Sequence, residues 1–286
     1  MQSIMFAGAF ILFFAAISEA SELIVPEGGR VELPAGLAEI KYEFLSLGTN
    51  ASLVIPQSYA GKSLTVRVSR FEASKGSAIY QMFDRRAKMG GQGGQGGQPD
   101  YGQKGQKGGS GSPGAEGADT VQLTLELGIA AIDGLKVVLR SQAGGHGGQG
   151  GKGGLGGGSR CGLSRSNGDP GGDGGIGGDG GPGAAPGNVR PLIVRWWPVD
   201  DAIPYFRNGQ PVQMSLNLQS GQGGWGGPAG IPGDGHGGRR CGCVFGECAW
   251  EVPSGAAGTE FGAGGKPYTA AGAITQPQFQ ALAFAQ

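Results

Sequence analysis

Apolar residues two places apart run through the ordinary sequence of this chain. Leu64, Val66 and Val68 alternate with polar neighbours, as do Val121, Leu123, Leu125 and Leu127, followed by a second apolar run over 135–139. The same pattern returns at 192–197 and at Val212, Met214, Leu216 and Leu218. A period of two sends successive side chains to opposite faces, so each run predicts a strand with one face buried. Shorter candidates precede them at 22–25, 42–47 and 52–55, separated by Gly and Pro. Short strands punctuated by turn residues predict a mainly β fold, a short-strand sandwich or a stacked coil.

Between these runs the period changes from two to three. From Gly90 the first place of successive triplets is Gly at 90, 93, 96, 102, 105, 108, 111, 114 and 117, broken only by Pro99. A second tract starts at Gly144, is interrupted over 159–167 and resumes in register to Ala185; a third, less regular, begins at Gly221. Strand followed by glycine tract is therefore a module read three times, over 62–119, 120–188 and 189–267. A signal segment (1–20) and an N-terminal β segment (21–61) precede the modules, and a tail (268–286) follows.

Composition sharpens this picture. The 64 glycines and 17 prolines are about 28% of the 286 residues, against about 12% in ordinary usage, which argues against an enzyme-like globular domain. The 22 basic and 22 acidic residues cancel, so neither a nucleic-acid binder nor charge-driven disorder is expected.

A three-residue period is the turn of the polyproline II helix, which has no internal hydrogen bonds and lets glycine-lined helices approach closely. Three readings compete. Disorder is favoured by the backbone entropy that glycine loses on ordering. A three-chain collagen helix is permitted by the register but opposed by short, interrupted, proline-poor tracts. The third reading is an intramolecular bundle. Breaks at 99–101, 159–167 and 236–248 let each tract fold back as a hairpin, giving six packed polyproline II helices that project from the β-rich part.

The Gly-Gly-X hairpin pattern over roughly 90–265 resembles the glycine-rich polyproline II bundle proteins, which include springtail antifreeze proteins and tip adhesins of some phage tail fibres. It also looks like collagen-like exported bacterial surface proteins. The resemblance implies a conformation and a presenting surface. Ice binding implies a flat face of small residues, whereas the third places here hold Gln92, Gln95, Lys104, Lys107, His146, Lys152, Asp173 and Asp179.

An uncharged apolar run over 4–17 followed by Ser18-Glu19-Ala20 reads as a secretory signal cleaved after Ala20, too short for a membrane span. A secreted, periplasmic or cell-surface location follows, with no span in the mature chain. Cys161, Cys241, Cys243 and Cys248 read as two disulfides in that setting, with a Cys241–Cys243 bridge the most strained of the pairings. The breaks in the second and third tracts hold Cys161 and Cys241/Cys243, so a disulfide between neighbouring hairpin tips is expected.

Chemistry is sparse. His146 and His236 sit in glycine tracts without a nucleophile in a strand-turn-helix setting. The run over 171–181 lacks the register of a calcium nonapeptide, and no GxxxxGK[ST] is present. No catalytic residue, metal or cofactor is expected. Trp225, in GGWGG, has no local packing partner and is the leading contact residue, with Gln92, Gln95, Lys104 and Lys107 beside it. The expected function is a non-enzymatic structural or adhesion protein that meets a surface glycan or protein receptor, self-association remaining open. The alternative is an ice-binding or small-ligand protein using one face of the bundle.

Overall fold

The computed structural model describes residues 20–162, 169–199, 206–207, 210–211, 213–242 and 249–281. The expected signal, Cys243 and Cys248 lie outside them, except that β1 opens at Ala20. The strands are β1 (Ala20–Val25), β2 (Arg30–Glu32), β3 (Glu39–Leu47), β4 (Ser52–Val54), β5 (Ser63–Ala73), β6 (Ala78–Gln81), β7 (Gln122–Ile132), β8 (Leu135–Arg140), β9 (Leu192–Pro198), β10 (Phe206–Arg207), β11 (Gln210–Pro211), β12 (Met214–Gln219), β13 (Arg239–Gly242), β14 (Ala249–Val252) and β15 (Gln278–Ala281). The chain alternates between a six-stranded sheet, β1-β3-β5-β7-β9-β15, and a five-stranded sheet, β2-β4-β6-β8-β12. All pairs within both sheets are parallel, so each circuit of the chain adds one rung to a two-sheeted coil.

Register makes like residues stack. Val31, Leu53, Ile79, Val137 and Leu216 form one row across the five-stranded sheet. Ile40, Val66, Leu125 and Val194 form another across the six-stranded sheet. Both rows point into one shared core, and truncating such a leucine costs about 2–5 kcal/mol. The period of two thus becomes a ladder in which a one-residue slip would expose every apolar side chain.

Three hairpins leave this coil at one end, between β6 and β7, β8 and β9, and β12 and β15. Each has an outgoing leg that continues a strand of the five-stranded sheet and a returning leg that leads into the six-stranded sheet. The legs are 87–98 and 103–119 in hairpin 1, 142–158 and 170–187 in hairpin 2, and 221–236 and 253–268 in hairpin 3. The ladder does not stop at the strand ends: Ser141 N–H donates to the Gln219 carbonyl, and Gly144, Gly147 and Gly150 then donate to Gln222, Trp225 and Pro228. Buried polar side chains satisfy the junctions. Gln81 donates to the Pro56 carbonyl and accepts from Val121 N–H, while Ser141 donates to the Gly187 carbonyl and accepts from Gly221 N–H.

Legs bond once every three residues. Within hairpin 2, Gly172, Gly175, Gly178 and Gly181 donate to the carbonyls of Gly157, Gly154, Gly151 and Gly148. The second glycine of each outgoing triplet, such as Gly151, donates to hairpin 1 at Gly109, and the first, such as Gly150, donates to hairpin 3 at Pro228. The outgoing legs therefore form one layer of parallel segments and the returning legs a second layer antiparallel to it. The returning leg of hairpin 3 carries one residue too many over 259–261: Gly258 and Gly262 bond to Gly233 and Gly230, four places against three.

The expected fold is corrected here. The β-rich part is not a short-strand sandwich: its strands are parallel, reach eleven residues in β5 and β7, and stack rung upon rung. The glycine-rich part is continuous with the strands, its legs extending the ladders of both sheets. The sequence reading missed this because alternation shows that one face is buried without showing strand direction.

Glycine is required inside the layer by approach distance. A Cβ added at Gly151 would overlap the Gly94 carbonyl, and one at Gly148 the Gly91 carbonyl; at Gly94 itself, on the outer edge, an added Cβ meets nothing. We therefore expect Gly151→Ala to destabilise the protein by about 1–3 kcal/mol or more through overpacking. Gly94→Ala is expected to be neutral or stabilising by up to about 1 kcal/mol through the unfolded chain. Equilibrium denaturation of the two variants measures the difference.

Candidate functional site

In the central legs both glycines of each triplet are closed off and the third residue is left over. From Gly144 to Gly157 the first and second places are buried. Their Cβ directions point at the returning layer, as at Gly147 towards Gly181, or at the neighbouring outgoing leg, as at Gly148 towards Gly91. Third-place side chains consequently project from the outside of the double layer, giving two faces. The outgoing face carries Gln92 and Gln95 from hairpin 1, His146, Gln149 and Lys152 from hairpin 2, and Trp225, Ile231 and Asp234 from hairpin 3. The returning face carries Lys104, Lys107, Asp173 and Asp179. Gln92, Gln95 and Trp225 are thus brought together on one face, and Lys104 and Lys107 stand on the other.

Trp225 is 67% exposed, and its backbone N–H donates to His146 Nδ1 at 2.8 Å. His146 is therefore more than a solvated side chain: its accepting nitrogen places the ring proton on Nε2. On this face Lys152 Nζ also lies 2.6 Å from Asp234 Oδ2. On the returning face Lys107 Nζ lies 2.7 Å from Asp179 Oδ2, while the other oxygen of Asp179 accepts from Ala263 N–H. The Lys107 hydrogen bond, aided by that from Ala263, holds the Asp179 carboxyl below its ordinary range. Asp173 likewise accepts from Ala256 N–H, so both aspartates tie hairpin 3 to hairpin 2.

At the far end the hairpin tips form a cleft of about 690 Å³ lined by residues including Gln98, Asp100 and Tyr101 of hairpin 1, Ser159 of hairpin 2, and His236 and Arg239 of hairpin 3. The Arg160 guanidinium stands 5.9 Å from the centroid of the exposed Tyr101 ring. A Cys161–Cys241 disulfide, Cα atoms 5.6 Å apart, ties the tips of hairpins 2 and 3 across 80 residues of chain.

The coil has a polar feature of its own on the outer face of the six-stranded sheet. Lys41, Arg67, Glu126, Arg195 and Gln280 stand in one transverse row. Glu126 receives Arg67 at 2.7 Å and Arg195 at 3.0 Å, and Arg195 reaches Gln280 at 3.1 Å. Burial alone would push the Glu126 carboxyl up; hydrogen bonds and charge from the two arginines outweigh it and hold the carboxyl low. Sequence reasoning passed over this row, because its members are 59 and 69 residues apart and only strand register joins them. Trp196 packs into the core while Trp197, on the outer side, lies over Gly128.

Among the described residues, no cluster of three or more His, Cys, Asp or Glu could hold a metal ion, and no helix is long and apolar enough to cross a membrane. No protein-family model, curated protein or solved structure matches the chain.

Two titrations follow from these ion pairs. A lowered carboxyl contributes stability above its unfolded pKa and loses it as pH falls through the folded one, so the Glu126 contribution disappears only on strong acidification. At neutral pH, Glu126→Gln leaves Arg67 and Arg195 facing each other, a loss of about 1–3 kcal/mol in denaturant unfolding. In carboxyl-carbon NMR, Lys107→Ala raises the Asp179 titration midpoint towards that of an ordinary aspartate.

Proposed function

We propose that the protein is an exported, non-enzymatic adhesion or structural protein of the cell surface or extracellular matrix. The parallel coil serves as its mount and the glycine layer as its presenting surface. One observation carries this reading: glycine packing closes the inner positions of the central legs and turns the third-place side chains outward in a regular array. Residues held on a rigid scaffold bind with less ordering entropy than residues on mobile loops, so such an array suits repeated weak contacts with an extended partner. The proposed partner is a surface glycan or protein receptor, met by Gln92, Gln95, Lys104, Lys107 and Trp225. Ice binding is the less favoured use of the same faces, because long amides, lysines and an indole stand where a flat face of small residues is needed.

Beads coated with the mature, oxidised protein should be retained on cell-envelope or extracellular-matrix preparations. Replacing Gln92, Gln95, Lys104, Lys107 and Trp225 together with alanine should abolish retention while leaving the thermal unfolding midpoint within a few degrees. Equal retention of the wild-type and five-site variants would overturn the assignment of these residues, and no retention of the wild type on any preparation would overturn the adhesion reading. Ice-recrystallisation inhibition by the wild type would favour the ice reading instead.

A further inference from the structure

The layer neutralises several of its charged third-place residues internally and leaves part of its amide complement unused. Lys152 is paired with Asp234 and Lys107 with Asp179. Of the glutamines on the outgoing legs three are also engaged, Gln98 with the Gly156 carbonyl, Gln142 with Ala118 N–H and the Arg85 carbonyl, and Gln222 with Arg86. Gln92, Gln95 and Gln149 remain. All three are exposed, and among the described residues none of their carboxamides has a hydrogen-bond partner. Each offers two N–H donors and a carbonyl acceptor without charge.

These amides are neighbours of the exposed indole. Gln92 and Gln95 lie one triplet apart on one leg, and Gly93 between them donates to the Gln149 carbonyl on the next leg. Gly147, one triplet before Gly150 on that second leg, donates to the Trp225 carbonyl on the third leg. The Trp225 N–H bond to His146 fixes that backbone while the ring faces outward. The outgoing face thus sets uncharged donors and acceptors on two adjacent parallel legs, with an aromatic plane on the third, and Lys152 on that face is already paired with Asp234.

We propose that this face is a docking surface for a neutral, straight β-1,4-linked polysaccharide, its hydroxyls bonded by Gln92, Gln95 and Gln149 and one sugar face stacked on Trp225. The inference rests on the adhesion reading above and names its partner. Hydroxyl groups match amides that both donate and accept, the apolar face of a pyranose matches an indole, and a straight ribbon matches parallel legs better than a coiled chain does. An anionic partner would call for unpaired cations, which this row does not supply.

The test is retention of the mature, oxidised full chain on insoluble cellulose and on chitin, with α-linked dextran beads as comparator, at low and at high salt. Binding to at least one β-linked polymer, unchanged by salt and absent on dextran, is expected. Trp225→Ala and the triple variant Gln92→Ala/Gln95→Ala/Gln149→Ala should each weaken it about tenfold. Glu116→Gln, a third-place change on the other face, should leave it unchanged, and unfolding curves of all variants should match the wild type. Equal retention on dextran, loss of retention with salt, no retention on either β-linked polymer, or wild-type binding by both alanine variants would overturn the proposal. If the coated beads still adhere to cell-envelope preparations in that case, the adhesion reading survives without it.

Discussion

Everything outside the coil depends on how closely two polypeptide backbones can approach. Hydrogen bonds between legs occur once in three residues, so the layer forms only if neighbouring legs come near enough for the intervening glycines to pack directly on carbonyl groups. At Gly148, Gly151 and Gly154 a single methyl group would collide with the facing backbone of hairpin 1. Glycine loses more entropy than any other residue on ordering, and two devices offset that loss. The strands of the coil hold the ends of the hairpins in register, and the Cys161–Cys241 bond restrains two tips at the other end.

The same constraint is relaxed along the two edges of the returning layer. In the returning leg of hairpin 2, second-place glycines such as Gly172, Gly175 and Gly181 press on hairpin 1. The corresponding places in hairpin 1 have no leg beyond them and hold Gln103, Gln106 and Ser112. First-place glycines of that returning leg, such as Gly174, Gly177 and Gly180, press on hairpin 3, where the corresponding places are Ala257, Phe261 and Pro267. Side chains thus reappear at most of these places in the returning layer, Gly109 and Gly264 being the glycines kept there, and Pro267 removes an outward-facing donor. Edges finished in this way discourage the addition of further segments, as charges and prolines do on the edges of ordinary sheets.

Much of this was legible because both ladders are written as short periods. Alternation at Leu123, Leu125 and Leu127 marks a half-buried strand, and the Gly-Gly-X period marks where side chains are forbidden. Strand direction was not legible, since a parallel and an antiparallel strand alternate alike; hence the expected sandwich. The Arg67–Glu126–Arg195 row was hidden because three unremarkable residues become neighbours only when β5, β7 and β9 align. The exposure of Trp225 was legible in the glycines that flank it on both sides in GGWGG. His146 was not identifiable as its partner, because their bond joins residues in two different hairpins.

The coil and the layer also differ in what water gains and loses when they form. The coil withdraws leucine, isoleucine and valine side chains from water, which gives its unfolding a large positive heat capacity change and weakens its stabilisation on cooling. The layer withdraws mainly peptide groups and glycine methylenes, and exposure of polar surface changes heat capacity in the opposite direction. One polypeptide therefore joins two parts that bury different kinds of surface. Cooling acts first on the aliphatic core that mounts the glycine layer, because it is there that burial of apolar surface supplies the stabilisation.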